Sequence, residues 1–172
     1  MCQRAKPQHV TTMMRTIIYS LAICALGAAL EGLFAGSGIK QRLANLRLPP
    51  YAVPFWAWMA IGALYYVIFF SVLYRLFLLP SSPGRSVGFA LVGAIMFINA
   101  LWNYFFFRTR NLFHAYLLGL PYGMIAISLF LLLLLRLDRM AAWCLLPYIL
   151  YLFYGNLWGY RVWKLNPPER SR

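Results

Sequence analysis

The sequence predicts an all-α membrane protein, a bundle of five transmembrane helices, and three observations carry that prediction. Hydrophobic residues make up 63% of the 172-residue chain and charged residues only 11%, against about 45–50% and 25% in soluble domains. Five runs are nearly free of charge: Thr16 to Ile39, broken only by Glu31, then Leu48 to Tyr74, Ser86 to Phe107, Asn111 to Leu135 and Met140 to Tyr160. At ~1.5 Å of rise per residue, each is long enough as a helix to cross ~30 Å of hydrocarbon. The basic residues collect at the ends of these runs, where lipid headgroups lie.

Residues 1–11 are polar and are expected to be an irregular tail. The first span covers about residues 14–36. Arg15, the apolar run and the small residues Ala25, Gly27, Ala28 and Ala29 also have the shape of a signal peptide. "LAIC", ending at Cys24, looks like a lipoprotein box with Ile where a small residue belongs. The apolar stretch continues to Phe34, which favours a retained helix. Residues 37–54 form the longest connection, three cations mixed with three prolines, and ordered loops of that length are candidate lids.

The later spans cover about 55–79, 86–107, 111–135 and 139–163. Their connectors, "LPSSPGR", "RTRN" and "RLDRM", are short enough to force neighbouring helices antiparallel. Residues 12–166 therefore form a single transmembrane domain, followed by a basic tail at 167–172. Pro121 and Pro147 interrupt the fourth and fifth spans, each freeing a backbone carbonyl. Such a kink is either a tolerated bend or room for a ligand.

A net charge of +13 in a soluble protein would suggest nucleic acid. Here the cations flank the spans, so anionic lipid is the simpler partner and no nucleic acid is expected. Arg4, Lys6, Arg15, Arg75, Arg85, Arg136 and Arg139 fall on one side of a five-span layout. Lys40, Arg42, Arg47, Arg108, Arg110, Arg161, Lys164, Arg170 and Arg172 fall on the other. The positive-inside rule places the second side, with the first loop and the C-terminus, in the cytoplasm. A bacterial envelope and an organellar membrane both fit.

Catalytic machinery is sparse. The acidic residues are Glu31, Asp138 and Glu169, which supply no paired carboxylates, and no nucleophile and base stand together. Cys2, Cys24 and Cys144 share no motif spacing, so no metal site or disulfide framework is read. The stronger signal is aromatic, at 18% of the chain. Asn99, Trp102, Asn103 and Phe106 follow i, i+3, i+4, i+7 spacing, and Tyr148, Tyr151, Gly155 and Trp158 share a face of the fifth span. In lipid, the faces bearing polar and aromatic groups turn inward. Two such faces make either a packed seam or a pocket suited to flat apolar molecules.

The segment "LRLPPYAVPFWAWMAIGALYY" resembles the tryptophan-rich first-loop signature of the TspO/MBR family, the translocator proteins also known as tryptophan-rich sensory proteins and once called peripheral benzodiazepine receptors. Pro49, Tyr51, Pro54, Trp56 and Tyr66 stand at its positions. "NALWNYFFF" looks like the family's N-x-x-W-x-x-x-F-F, and "LLPYILYLFYGNLWGYRVWKLN" is similar to its closing block through Pro147, Tyr148, Trp163, Lys164 and Asn166. The departures are Gly62 where the family usually has Trp, Ile95 for Gln and Gly159 for Asn. His114, Leu118 and Tyr151 stand where Trp, Asp and Trp are common.

The resemblance implies a pocket inside the five-helix bundle, closed by the first loop, for a porphyrin or a sterol-like molecule, with no cofactor required. Tyr51, Trp56, Tyr66, Asn99, Trp102, His114, Tyr148, Tyr151 and Trp158 are the candidate ligand-binding residues. Lys40, Arg42 and Arg47 are candidates to meet either porphyrin carboxylates or lipid phosphates. Leu157, Tyr160 and Lys164 satisfy the loose cholesterol pattern where animal relatives carry theirs. Family members form dimers, and Ala90 with Ala94, like Gly155 with Gly159, have the small-xxx-small spacing of close helix packing. Sensing, transport or sequestration of the ligand is the expected function. A porphyrin-degrading enzyme and a structural protein without a ligand are the alternatives.

Overall fold

Three helix starts are written in the residues just before them. Ser82 Oγ accepts the Arg85 amide at 3.2 Å with Pro83 at the first helical position, Asn111 Oδ1 accepts the His114 amide at 3.1 Å, and Asp138 Oδ1 accepts the Ala141 amide at 3.0 Å. Each satisfies an amide that the first helical turn leaves unpaired. The computed structural model describes residues 6–167, with side chains from residue 11 onward. Its helices are α1 (Lys6–Ala35), α2 (Ile39–Ala44), α3 (Phe55–Leu78), α4 (Pro83–Asn103), α5 (Leu112–Leu132) and α6 (Arg139–Leu165). Wider π turns, Tyr104–Arg108 and Leu133–Leu137, extend α4 and α5, marked by i to i−5 bonds from Thr109 to Tyr104 and from Asp138 to Leu133.

All five long helices are long and apolar enough to cross a membrane: Thr11–Ala35, Phe55–Leu78, Pro83–Arg108, Leu112–Leu137 and Arg139–Leu165. The expected irregular tail is a correction in part. The helix extends back to Lys6, because a helix nucleated by an apolar span adds further residues at little cost. Residues 1–5, and the C-terminal tail from 168, lie outside the described residues. Helices α5 and α6 run through Pro121 and Pro147 without ending.

Around the bundle the helices follow the order α1, α3, α6, α5, α4 and back to α1. The half away from α2 is solid. Phe69, Leu73 and Leu76 of α3 pack against Val92 and Ile95 of α4, Leu129 of α5, Leu133 in the turn that extends it, and Leu145 of α6, all essentially fully buried. Ile95, one of the departures, lies in this aliphatic layer. Helix α1 joins through a narrow seam of buried Thr16, Ser20, Cys24 and Gly27, and a Cβ at Gly27 would stand 2.5 Å from Met96 Cε. Small residues there let the backbones approach, the packing device available in lipid.

At the solid end Arg75 Nε donates to Asp138 Oδ2 at 2.8 Å, tying the end of α3 to the start of α6. Partial burial of Asp138 works against its charge, but the Arg75 hydrogen bond and the amides of Ala141 and Met140 outweigh it and hold the carboxyl below its usual range. At the other end the first loop is fastened down. Gly36 and Gly38, at φ of 70° and 80°, turn the chain into α2 through a region that glycine enters without a Cβ penalty. The Arg42 guanidinium then donates to the carbonyls of Ala35 and Phe107. Asn166 bridges the Arg47 backbone in both directions at 2.9 Å, and Tyr154 Oη donates to the Tyr51 carbonyl at 3.2 Å.

Candidate functional site

In the half of the bundle next to α2 the helices part around a cavity of about 250 Å3, with walls from all five spans and from Ile39 and Leu43 of α2. Its exposed lining residues are Phe55, Met59 and Gly62. They follow i, i+4, i+7 spacing, so the cavity opens along one stripe of α3. The interior wall is aromatic. Trp58 and Trp158 have ring centroids 4.7 Å apart, Trp158 leans on Phe106 at 5.4 Å, and Phe106 stacks on Trp102 at 4.7 Å and 14°. Farther in, Tyr65 meets Tyr148 at 5.2 Å, and the Tyr148 and Tyr122 hydroxyls share a hydrogen bond.

Buried polar groups need partners, and the indole nitrogens of Trp58 and Trp158 on this wall have none among the described residues, while the Tyr65 hydroxyl interacts with Tyr122 without the geometry of a well-formed hydrogen bond. Trp58 meets Tyr151 edge to face, with ring centroids 6.4 Å apart at 81°. The polar corner lies across the cavity. Asn99 Nδ2 donates to Glu31 Oε1 at 2.5 Å, and the Tyr66 hydroxyl interacts with the same carboxyl without the geometry of a well-formed hydrogen bond. Asn103 Nδ2 donates to the Asn99 carbonyl at 2.9 Å.

Five of the nine candidate ligand-binding residues line this cavity: Asn99, Trp102, Tyr148, Tyr151 and Trp158. Four do not line it. Trp56 is 73% exposed, because two residues along a helix turn it ~200° away from Trp58. Tyr51 lies in the loop, edge-on to Tyr154 at 6.4 Å. Tyr66 faces α1, one residue round from the cavity residue Tyr65. His114 is exposed and stacks on Phe105 at 5.7 Å.

Among the loop cations, Arg42 is spent on the two carbonyls that end α1 and the turn after α4, and only Lys40 and Arg47 extend exposed side chains. Leu157, Tyr160 and Lys164 all lie on the outer surface, with Lys164 Nζ 4.2 Å above the Trp163 ring. Gly155 and Gly159 line the cavity, which corrects their reading as a close-packing face. Glu31, Trp58, Tyr65 and Tyr122 are cavity residues that sequence reasoning passed over.

The TspO/MBR family model matches residues 20–164. The chain belongs to the TspO/MBR family. It is a TspO-like integral membrane protein that crosses the bilayer several times. Among curated proteins the sequence finds no significant match. Against the TspO/MBR pattern, two of the departures fall in the cavity: Gly62 and Gly159 both line it, and a Cβ at either would meet nothing within 4 Å. The space that Trp and Asn commonly take at these positions is open in this member.

Proposed function

We propose that this TspO/MBR member binds a flat lipophile of tetrapyrrole or sterol class in its intrabundle cavity, for sensing, transport or sequestration. The observation that carries this reading is the cavity itself, walled by aromatic rings from several spans and floored by a small polar corner. Ring faces supply stacking area, and a few placed polar groups orient a ligand. At about 250 Å3 the cavity is slightly below the ~300–1,000 Å3 of drug-sized sites. The opening along Phe55, Met59 and Gly62 lets a larger ligand keep part of its body outside. Lys40 and Arg47 are the loop cations with exposed side chains, available to ligand carboxylates or lipid phosphates. We place the loop and C-terminus in the cytoplasm from the distribution of cations, and Ala90 with Ala94 as the small-residue pair for a homodimer.

Trp58, Trp102 and Trp158 make the protein its own reporter. Titration of the purified protein with protoporphyrin and, separately, with a sterol is expected to give saturable quenching or enhancement of tryptophan fluorescence by at least one of them. Non-saturable responses to both, in a folded sample, would sink the reading. Loss of the porphyrin absorption bands under light, only when protein is present, would replace it with a degrading enzyme.

A further inference from the structure

The cavity combines one carboxyl group with many π faces, and the two together set the charge of what it can hold. Among the described residues lining it, Glu31 is the one formally charged side chain, with no Lys, Arg or His beside it. Charges inside a membrane protein are normally paired. This chain shows the usual solution at its other end, where Arg75 neutralises Asp138. Glu31 has no such cation among the described residues. Asn99 donates to one of its oxygens and the Tyr66 hydroxyl interacts with the carboxyl, but an ionised carboxylate offers about four acceptor positions, so capacity remains for another donor.

The location suits a charged ligand end. Glu31 lies four residues before the end of α1, ~6 Å along the helix axis at ~1.5 Å per residue, near the surface where amphiphile head groups reside. The rings of Trp58, Tyr65, Trp102, Tyr148, Tyr151 and Trp158 line the same space, and ring faces carry negative potential that attracts cations. A ligand carboxylate entering here meets Glu31 and the rings with the wrong sign. A cationic nitrogen meets both with the right one.

We propose that the ligand of this cavity carries a basic nitrogen, protonated or quaternary, on a flat apolar body, with the nitrogen at Glu31 and the body against the tryptophan rings. The inference rests on the cavity being the ligand site. It adds a selection by charge: cations over neutral molecules, and neutral molecules over anions. Any ligand carboxylate stays outside the cavity.

The test uses three tricyclic aromatic probes of equal size, one with a dimethylaminopropyl arm, one with its uncharged carbon isostere and one with a carboxylate arm. Each is titrated by tryptophan fluorescence into the full-length protein in zwitterionic nanodiscs, so that anionic lipid cannot supply the preference. The amine is expected to bind about tenfold tighter than the isostere, equivalent to ~1.4 kcal/mol, with the carboxylate weakest. Glu31→Gln is expected to erase the preference, so that amine and isostere bind that variant alike, and Glu31→Asp to keep it. Equal affinities for amine and isostere, or a preference that survives Glu31→Gln, would overturn the inference while saturable binding of the isostere upholds the site. If none of the three binds saturably, the inference and the cavity reading fall together.

Discussion

Replacing Gly62 by leucine separates the cavity's role in binding from its role in the fold. Gly62 is on the lining, in the middle of α3, and a Cβ there would meet no atom within 4 Å. Four added heavy atoms there narrow the opening and take up part of the cavity behind it. Stability should move the other way from binding, because glycine inside a helix costs ~0.5–1 kcal/mol relative to a good helix former. The variant should therefore melt at or above the wild-type temperature while binding a flat lipophile at least tenfold more weakly. Thermal unfolding followed by circular dichroism, alongside the fluorescence titration, reads both quantities on one sample. Unchanged affinity would show that the ligand sits elsewhere, and a fall in stability of more than ~1 kcal/mol would show that the space at Gly62 is not free.

Trp158, 1% exposed, and Trp56, 73% exposed, make a matched pair: Trp158→Ala should cost ~3–5 kcal/mol and abolish binding, whereas Trp56→Ala should leave affinity within twofold in the same titration. Arg42→Gln removes a charged donor from two carbonyls and should cost ~1.5–3 kcal/mol, detected as a lower melting temperature and faster proteolysis within residues 37–54; an unchanged digestion pattern would count against the clamp. Asp138→Ala should lose ~1 kcal/mol through the cap plus a fraction of a kcal/mol from the half-exposed Arg75 pair. Because the Asp138 carboxyl is held below its unfolded value of 3.8, its contribution is complete above about pH 4 and is lost as pH falls through the lower folded value. The difference in melting temperature between wild type and Asp138→Asn should therefore narrow below pH 4 and stay constant from pH 5 to 8.

The five spans were legible because a run of charge-free residues longer than the bilayer is thick has few other solutions. The inward faces of α4 and α6 were legible for a related reason: Asn99, Trp102 and Asn103, or Tyr148, Tyr151 and Trp158, are costly or conspicuous if turned to lipid. Helix α3 gave no such guide. Its first half carries Phe55, Trp56, Trp58, Tyr65 and Tyr66 on several sides, and without a hydrophobic force between helices nothing in residue type says which side turns in. Two residues, and then one, separated the expected Trp56 and Tyr66 from the observed Trp58 and Tyr65. The role of Arg42 is not legible in the sequence, because a bond to distant carbonyls leaves no trace there. Glu31 did leave one. A carboxyl group inside an apolar run is a site hypothesis in its own right.

The departures at Gly62 and Gly159 take on a physical meaning once the cavity is drawn around them. Where the TspO/MBR pattern has a tryptophan and an asparagine, this chain has two bare positions in the cavity wall. One turn before Gly62 along α3 stands Trp58, and immediately before Gly159 stands Trp158, with the two rings 4.7 Å apart. Aromatic surface is thus retained, but from neighbouring positions, and the polar group at 159 is gone, while Asn156 one turn earlier lines the cavity with its amide nitrogen bonded to the Leu152 carbonyl. The polar work of the cavity passes to the opposite wall, to Glu31 and Asn99. On the proposed reading, a cavity whose one formal charge among the described lining residues is the Glu31 carboxyl takes flat molecules and disfavours an anionic end on them. Porphyrin carboxylates are therefore the part of the family's ligand chemistry that this cavity is least equipped to bury.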